Sequence, residues 1–445
     1  MGRESTLTRP EASELLPKLI SIRRHLHQYP ELSHEEFETT ASVKGWLEEA
    51  GIRIAPFSLR TGLVAEVGGV KPGPVIAIRA DIDALPIQEE TGLPYASRFP
   101  GRMHACGHDF HTASAIGAAY LLKEKEQELE GTVRFLFQPA EEKASGALKV
   151  IASGALENVQ AIFGLHNKPD LPVGTLGIKE GPLMAAADGF VVELTGLGSH
   201  AAVPEAGIDP IVAAAQIVSA VQAIVSRSVS PLHSAVISVT KLHSGTAWNV
   251  IPDKAVLEGT IRTFDEPVRL RVLERFREVV EGVASAYGTK ASVRWVQGPP
   301  PVINDGALAE LAEEEATSLG YTAVRPVPSP AGEDFAFYQR QVPGLFVFAG
   351  TAGSREWHHP AFDLDEAALP VSARFLAGVA ERALRQGKTA PAGSSEAGRL
   401  SQAERLAAAM RVKDGEQAEP ADSVEAGKAG APADAVRPAG AGTSG

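Results

Sequence analysis

The sequence predicts an α/β protein, a mostly parallel sheet flanked by helices, carrying an inserted α+β segment of ferredoxin-like order. Three observations predict it. Short apolar runs alternate with amphipathic ones between about residues 60 and 180, the alternation of a parallel sheet covered on both faces. The apolar runs end directly in acids, amides or histidines, as strands do when their carboxyl ends line a crevice. The pattern then breaks at Gly181-Pro182, gives way to a self-contained β-α-β-β-α-β order, and resumes after Pro299-Pro300-Pro301.

Taken in order, residues from about Glu11 to Glu49 read as two helices. The first carries Leu15, Leu16, Leu19, Ile20 and Ile22 towards Leu26 and stops near Tyr29-Pro30; the second runs from Glu35 to Glu49 and stops at Gly51. Val64 to Val67 and Pro74 to Arg79 are strands, the latter running into Asp81 and Asp83. Thr112 to Glu130 is a small-residue helix suited to close packing on a sheet. Thr132 to Phe137 is a strand ending at Gln138-Pro-Ala-Glu-Glu142, residues 150 to 155 are a helix end, and Ala161 to Leu165 is a strand ending at His166-Asn167. The expected division is a first catalytic part over residues 10–180, the inserted segment over 181–297, and a second catalytic part over 298–387. In the insert, 190–195, 235–240, 255–263 and 291–296 are strands, and 209–229 and 266–287 are helices. Afterwards 305–319 is a helix, 344–349 a strand and 369–386 a closing helix. Residues 388–445 are rich in Ala, Gly, Pro, Ser and Glu and are expected to be a disordered low-complexity tail.

The length of 445 residues suits two or three domains, and 44% hydrophobic with 22% charged residues is ordinary globular composition. A formal charge of −13, from 42 basic and 55 acidic residues, argues against nucleic acid as a partner. One cysteine excludes an intramolecular disulfide and gives no sign of an oxidising compartment. The N-terminus lacks a signal-peptide core, and no apolar run approaches the roughly 20 residues of a membrane span. A cytoplasmic protein without a membrane partner is expected.

The chemistry gathers at strand ends. Met103 to His111 holds three histidines, Asp109 and the lone Cys106 in nine residues. Cys106 and His108 can share one borderline-soft divalent ion if the backbone turns there; the alternative is a buried structural thiol beside surface histidines. Asp81, Asp83, Glu141, Glu142 and His166 follow apolar strands, and His358 and His359 follow the 344–349 strand after a short loop. So many imidazoles and acids cannot crowd together without a neutralising cation. Glu141 and Glu142 are adjacent and point in different directions, so one can bind metal while the other accepts a proton from water. Two solvated acids are the alternative. His200, in a Gly-rich turn, could donate to an oxyanion, and Asn249 and Arg262 could bind a substrate carboxylate; a polar hairpin residue and a surface ion pair are the plainer readings. His25 and His27, two apart on a helix, do not share a face and are expected to lie off the metal.

Eight ordered segments carry a likeness: Arg79-Ala-Asp-Ile-Asp-Ala-Leu-Pro86, His104-Ala-Cys-Gly-His-Asp109, Gln138-Pro-Ala-Glu-Glu142, His166-Asn167, Gly198-Ser-His-Ala201, Trp248-Asn-Val-Ile-Pro252, Gly332-Glu-Asp-Phe335 and His358-His-Pro360. Over about residues 10–385 the chain resembles the amidohydrolase branch of the dinuclear metallo-aminoacylase/carboxypeptidase family. The resemblance implies removal of an acyl group, acetyl above all, from an N-acyl-L-amino acid, with N-acetylcysteine or a related sulfur amino acid as candidate substrate. It implies two divalent metals, Mn2+ or Zn2+, on Cys106, His108, Glu142, His166 and His359. Glu141 matches the general base, with Asp83 and His200 also catalytic, and His200 reaching a site across a homodimer or higher homo-oligomer through a lid that also dimerises. His104 and His111 are expected to stay off the metal, and Asp109 to orient a neighbour. Asp81-Ile-Asp83 and Cys106 depart from the wider superfamily, which has His-x-Asp and a bridging Asp there; the branch shares the changes, and they leave the metal open. A dipeptide-cleaving metallocarboxypeptidase and a non-catalytic metal or thiol sensor are the alternatives.

Overall fold

The computed structural model describes residues 10–387, all within one unit; the expected disordered tail lies outside them. An eight-stranded sheet runs in the order Arg53–Ile54, Leu63–Gly68, Glu130–Gln138, Lys71–Asp81, Val159–Lys168, Gly344–Gly350, Thr175–Gly177 and Thr322–Val324. The four central strands are parallel to one another, and antiparallel strands join on both sides. Burial on both faces explains the near-continuous apolar runs. Val133, Phe135 and Phe137 join one core with the helices Pro10–Gln28, His108–Glu124 and Ala368–Gln386. Leu136, Ile162, Phe346 and Phe348 face the other core, with Val150 and the Phe335–Tyr338 segment.

The small residues of His108–Glu124 let three helices approach closely. A Cβ on Gly117 would stand 2.8 Å from Ala373 Cβ and 2.9 Å from Leu19 Cδ1. This helix starts at His108, four residues before the expected Thr112, and ends at Glu124, because residues from Glu130 already belong to the next strand. Several short strands escaped the sequence reading: Arg53–Ile54, Thr175–Gly177 and Thr322–Val324 at the sheet margins are too short to carry a period.

The second sheet is antiparallel, in the order Ala235–Ser244, Lys254–Thr263, Ala186–Thr195, Lys290–Val296. That is the expected β-α-β-β-α-β arrangement. Ala186–Thr195 alternates buried and less buried residues, so only one face is covered. Phe190, Val192, Leu257 and Ile261 meet Ala213, Ile217, Val272 and Phe276 from the covering helices. The helix expected over 209–229 is two, Pro210–Ala220 and Gln222–Ser228, the first capped by Asp209 accepting from Ile211 N at 2.8 Å. One expectation needs correcting here. Pro210–Ser228 is long and apolar enough to cross a membrane by length and composition. Its Ala213, Ala214, Ile217 and Ile224 are buried on the second sheet, which accounts for part of that apolarity; Ile211 and Val212 stay exposed.

One ion pair anchors this second core. Arg269 Nε and Nη2 reach Asp188 Oδ2 and Oδ1 at 2.6 and 2.7 Å, with both side chains 4% exposed. Removing the cation alone strands a buried carboxylate. Arg269→Met should therefore lower stability by roughly 3–5 kcal/mol in urea unfolding, and Asp188→Leu combined with it should recover most of the loss. An unchanged unfolding midpoint in the single variant would contradict this account.

Candidate functional site

The carboxyl ends of three central strands meet the start of one helix. Lys71–Asp81 delivers Asp81 and, just beyond it, Asp83; Glu130–Gln138 delivers the Glu141-Glu142 turn; Val159–Lys168 delivers His166. Gly107, at φ 80°, starts the helix that presents His108 and His111. A Cβ there would stand 2.4 Å from Asn167 Nδ2, so both the left-handed backbone and the contact require glycine.

Two donor trios share the thiol. Cys106, His108 and His166 form one, and Cys106, Glu142 and His358 the other, each with ligand atoms within 4.8 Å of one another. His166 Nδ1 faces Asn167 O at 2.9 Å and must donate to it, so Nε2 presents a lone pair to Cys106 Sγ at 3.3 Å. Burial, then the neighbouring His111, holds the His166 pKa well below its ordinary value and keeps the ring neutral. His108 Nδ1 faces Asp83 Oδ1 at 3.2 Å, leaving its Nε2 buried with no hydrogen-bond partner among the described residues. Burial opposes charge on His108, yet Asp81 and Asp83 outweigh it and hold its pKa well above the ordinary value; a cation would take the place of that proton. Burial, then the charge of Glu142, pushes the Cys106 thiol well up.

These residues fit divalent ions. Glu142 Oε1, like His108 Nε2, is buried without a hydrogen-bond partner among the described residues, and thiol, imidazole and carboxylate donors together suit borderline-soft metals. Glu141 is in neither thiol trio, but its carboxylate lies within 4.8 Å of ligand atoms of His108 and Glu142, and likewise of Glu333 and Asp334; its Oε1 accepts from Asp334 N at 3.2 Å. Burial, then Glu333 and Glu142, raises its carboxyl well above the usual range, as suits a proton acceptor working near neutral pH.

Asp83 clamps the turn. Its oxygens accept from Glu141 N and Glu142 N at 3.1 Å each and from Ser33 Oγ at 2.6 Å. Ala140 and Ala144, flanking the two glutamates, hold positive φ values of 52° and 48°. Such backbone costs energy and persists only where its surroundings hold it.

The structure brings together Asp83, Cys106, His108, Glu141, Glu142 and His166. It brings His358 rather than the expected His359. His358, at φ 64°, turns its Nε2 to 3.4 Å from Glu142 Oε1, while His359 Nδ1 accepts from Ala361 N at 2.9 Å within its own loop. Two neighbouring histidines carry no periodic signal to separate them. His200 and Asn249 are exposed beside the Ser199–His200 and Val250–Ile251 ribbon, with His200 Nδ1 accepting from Ala202 N at 3.0 Å. Arg262 is half-buried and bonds to Thr260 Oγ1. None of the three joins the Cys106 trios. His111 bridges Asp81 Oδ1, at 2.7 Å, to Asn167 N, and Asp109 pairs with Arg23 and His27, so His27 supports the site from behind. His104 is buried, its pKa pushed down to about 4 by desolvation.

Sequence reasoning did not foresee Arg79. Fully buried, its guanidinium reaches Asp81, Glu333 and Asp334 at 2.6–2.8 Å and Gln138 at 2.9 Å. The apolar run hid its role, because an arginine inside a strand is normally read as an edge or surface residue.

Comparison with known proteins agrees with this geometry. Residues 77–382 match peptidase family M20/M25/M40. The chain is 56% identical over 372 residues to the N-acetyl-L-cysteine deacetylase of Bacillus subtilis, covering 84% of this chain and 89% of that protein. It is 39% identical over 391 residues to an IAA-amino acid hydrolase of Arabidopsis thaliana, covering 85% and 88%. Among solved structures, the Bacillus subtilis YXEP protein, described as a dinuclear metal binding peptidase of the M20 family, superposes with a TM-score of 0.77 at 53% identity, over 84% of this chain and 99% of that one.

Loss of the Arg79 cation would leave Glu333 and Asp334 buried without an ion-pair partner and leave Asp81 with only its imidazole neighbours. Arg79→Met should cost roughly 3–5 kcal/mol of stability in denaturant titration; wild-type stability in that variant would remove Arg79 from the centre of the network.

Proposed function

The chain belongs to peptidase family M20/M25/M40, and on that premise we propose that it is a metal-dependent amidohydrolase that removes the acetyl group from N-acetyl-L-cysteine or a related N-acyl amino acid. One observation carries the reading: Glu141 and Glu142 share a clamped turn, with Glu142 in a thiol-containing donor trio and Glu141 in neither of the two yet within 4.8 Å of ligand atoms of His108 and Glu142, where it can reach a water between them. Cys106, His108 and His166 would hold one divalent ion, and Cys106, Glu142 and His358 a second, Mn2+ or Zn2+. Ions held there would polarise the acyl carbonyl and lower the pKa of water. Glu141 takes the proton of the attacking water and returns it to the leaving amine. Asp83 keeps His108 and both glutamates in register for that transfer.

Asn249 and Arg262 are the candidate carboxylate contacts, and His200 the candidate oxyanion donor. All three belong to residues 181–297, which we read as a lid and dimerisation segment between the two catalytic parts, 10–180 and 298–387. Exposed Trp248, Leu197 and Ile211 around His200 support burial of this face in a homodimer. The lone cysteine, drawn into the metal set, is consistent with a reducing compartment, and we assign the protein to the cytoplasm. A thiol sensor fits less well, because burial raises the Cys106 pKa and reactive thiols have the opposite shift.

Hydrolysis of a panel of N-acetyl, N-benzoyl and indole-acetyl amino acids, with dipeptides, under defined Mn2+ or Zn2+ loading tests the assignment. Cleavage of dipeptides in preference to N-acetyl amino acids would overturn it in favour of a carboxypeptidase. Glu141→Gln should retain bound metal and lose ~10²–10⁴-fold in turnover; full activity would sink the proton-transfer role. Metal analysis of two further variants separates the histidines: His358→Ala should lose about one ion per chain, whereas His359→Ala should keep the wild-type content.

A further inference from the structure

The turn that holds Asp83 through Ser33 also forms the wall of a separate cavity. This cavity, of about 500 Å³, is lined by His34, Ser58, Arg60, Pro139, Lys149 and Ser153 among others. Lys149 Nζ lies 2.9 Å from His34 Nδ1, and since an ammonium only donates, that nitrogen accepts. His34 Nε2 then carries the proton and donates to Ser145 Oγ at 3.2 Å, so the ring is neutral. Burial and the charge of Lys149 both press its pKa down.

Lys149 keeps two further N–H donors for the cavity. The Arg60 guanidinium lies 5.4 Å from the Phe37 ring centroid, and among the described residues neither cation has a carboxylate in ion-pair contact. Lys143 adds to the positive field at His34. The acids that reach this field are Glu36 and Asp83: Glu36 Oε1 accepts from Ala140 N at 2.8 Å while its Oε2 has no hydrogen-bond partner among the described residues, burial raising that carboxyl's pKa, and Asp83 holds Ser33 and the glutamate turn. In a chain of net charge −13, unpaired cations gathered on one concavity call for an anion.

We propose that this cavity binds a phosphate-class dianion, free phosphate or a small phosphomonoester, held by Arg60 and Lys149 with the Ser58 hydroxyl. A guanidinium fork and a mobile ammonium suit a tetrahedral oxyanion better than a planar amide. Leu59 and Ala152, also in the lining, leave an apolar margin for the organic part of an ester. The occupant sits against His34, one residue from Ser33 and in contact through Ser145 with the start of the Gly146–Ala152 helix, so its binding steadies the segment that positions the glutamates.

The test is local to Lys149. The metal-loaded full chain is treated with an amine-acylating reagent at constant ionic strength in chloride, inorganic phosphate or the amine-free ester glycerol phosphate, and modification is read by peptide mass spectrometry. At ~10 times the dissociation constant, labelling of Lys149 should slow about tenfold while exposed Lys44 is unaffected. Protection at lower concentration by glycerol phosphate than by phosphate identifies an ester as occupant; equal protection identifies the free ion. Arg60→Ala, at an exposed position, should melt as wild type does and lose the protection. Equal labelling of Lys149 in phosphate and chloride, or protection that survives Arg60→Ala, overturns the proposal; phosphate bound at the Cys106 cluster cannot imitate the expected result, because it does not shield Lys149.

Discussion

The Arg79 guanidinium is the constraint on which the site depends. Parallel strands deliver their functional groups at one edge, and here that edge receives Asp81, Asp83, Glu141, Glu142, Glu333 and Asp334. Burying this many acids is unfavourable without positive charge in the same low-dielectric space. Arg79 supplies it from inside a core strand, bonding Asp81, Glu333 and Asp334 at once. Its Gln138 contact extends the network to Tyr338 Oη, which donates to Gln138 Oε1 at 2.9 Å. With Asp334 held, its backbone N–H is aimed at Glu141. Glu141, the proposed proton acceptor, is thus oriented through a chain of contacts that starts one strand away.

Charge balance also separates the roles of neighbouring acids. Asp81 faces Arg79, and although burial works against its charge, the guanidinium and two imidazoles keep its carboxyl well below the usual range. Glu141 has no ion pair among the described residues, and burial with Glu333 and Glu142 outweighs His108 and carries it the other way. Two acids of one site therefore differ in basicity because one has a fixed ion-pair partner and the other does not. The Asp83 clamp adds the geometry, holding a turn whose non-glycine residues Ala140 and Ala144 occupy left-handed backbone.

Much of this was legible in the sequence because it follows from period and position. Apolar runs such as Ala161–Leu165 and Gly344–Ala349 have no polar face, which requires a central strand, and polar residues after them must lie at the crevice. The β-α-β-β-α-β order of the second sheet was legible for the same reason. What stayed hidden depends on single side-chain directions. Nothing in His358-His359 distinguishes the ring aimed at Glu142 from the ring turned into its own loop; the difference is one positive φ. Glu333 and Asp334 lie far from Arg79 in sequence, so their convergence is a property of the fold alone. The helix start at His108 was misjudged because glycine at a left-handed N-cap reads like a loop residue until its contact with Asn167 is known.

Cys106 shows how the centre resolves its own electrostatics. Buried beside Glu142, the thiol is held well above its ordinary pKa and keeps its proton. His108, between Asp81 and Asp83, is likewise held protonated. Both protons sit on atoms that offer lone pairs to a cation, and ligands bind metal only in their deprotonated forms. A divalent cation held there would offset the thiolate–carboxylate repulsion that loss of the Cys106 proton creates, and would give the bare Glu142 Oε1 and His108 Nε2 a partner. Glu141, outside both thiol trios, would then be the acid left to move a proton. The proposed division of labour between the two glutamates would follow from how the charges around Cys106 are balanced.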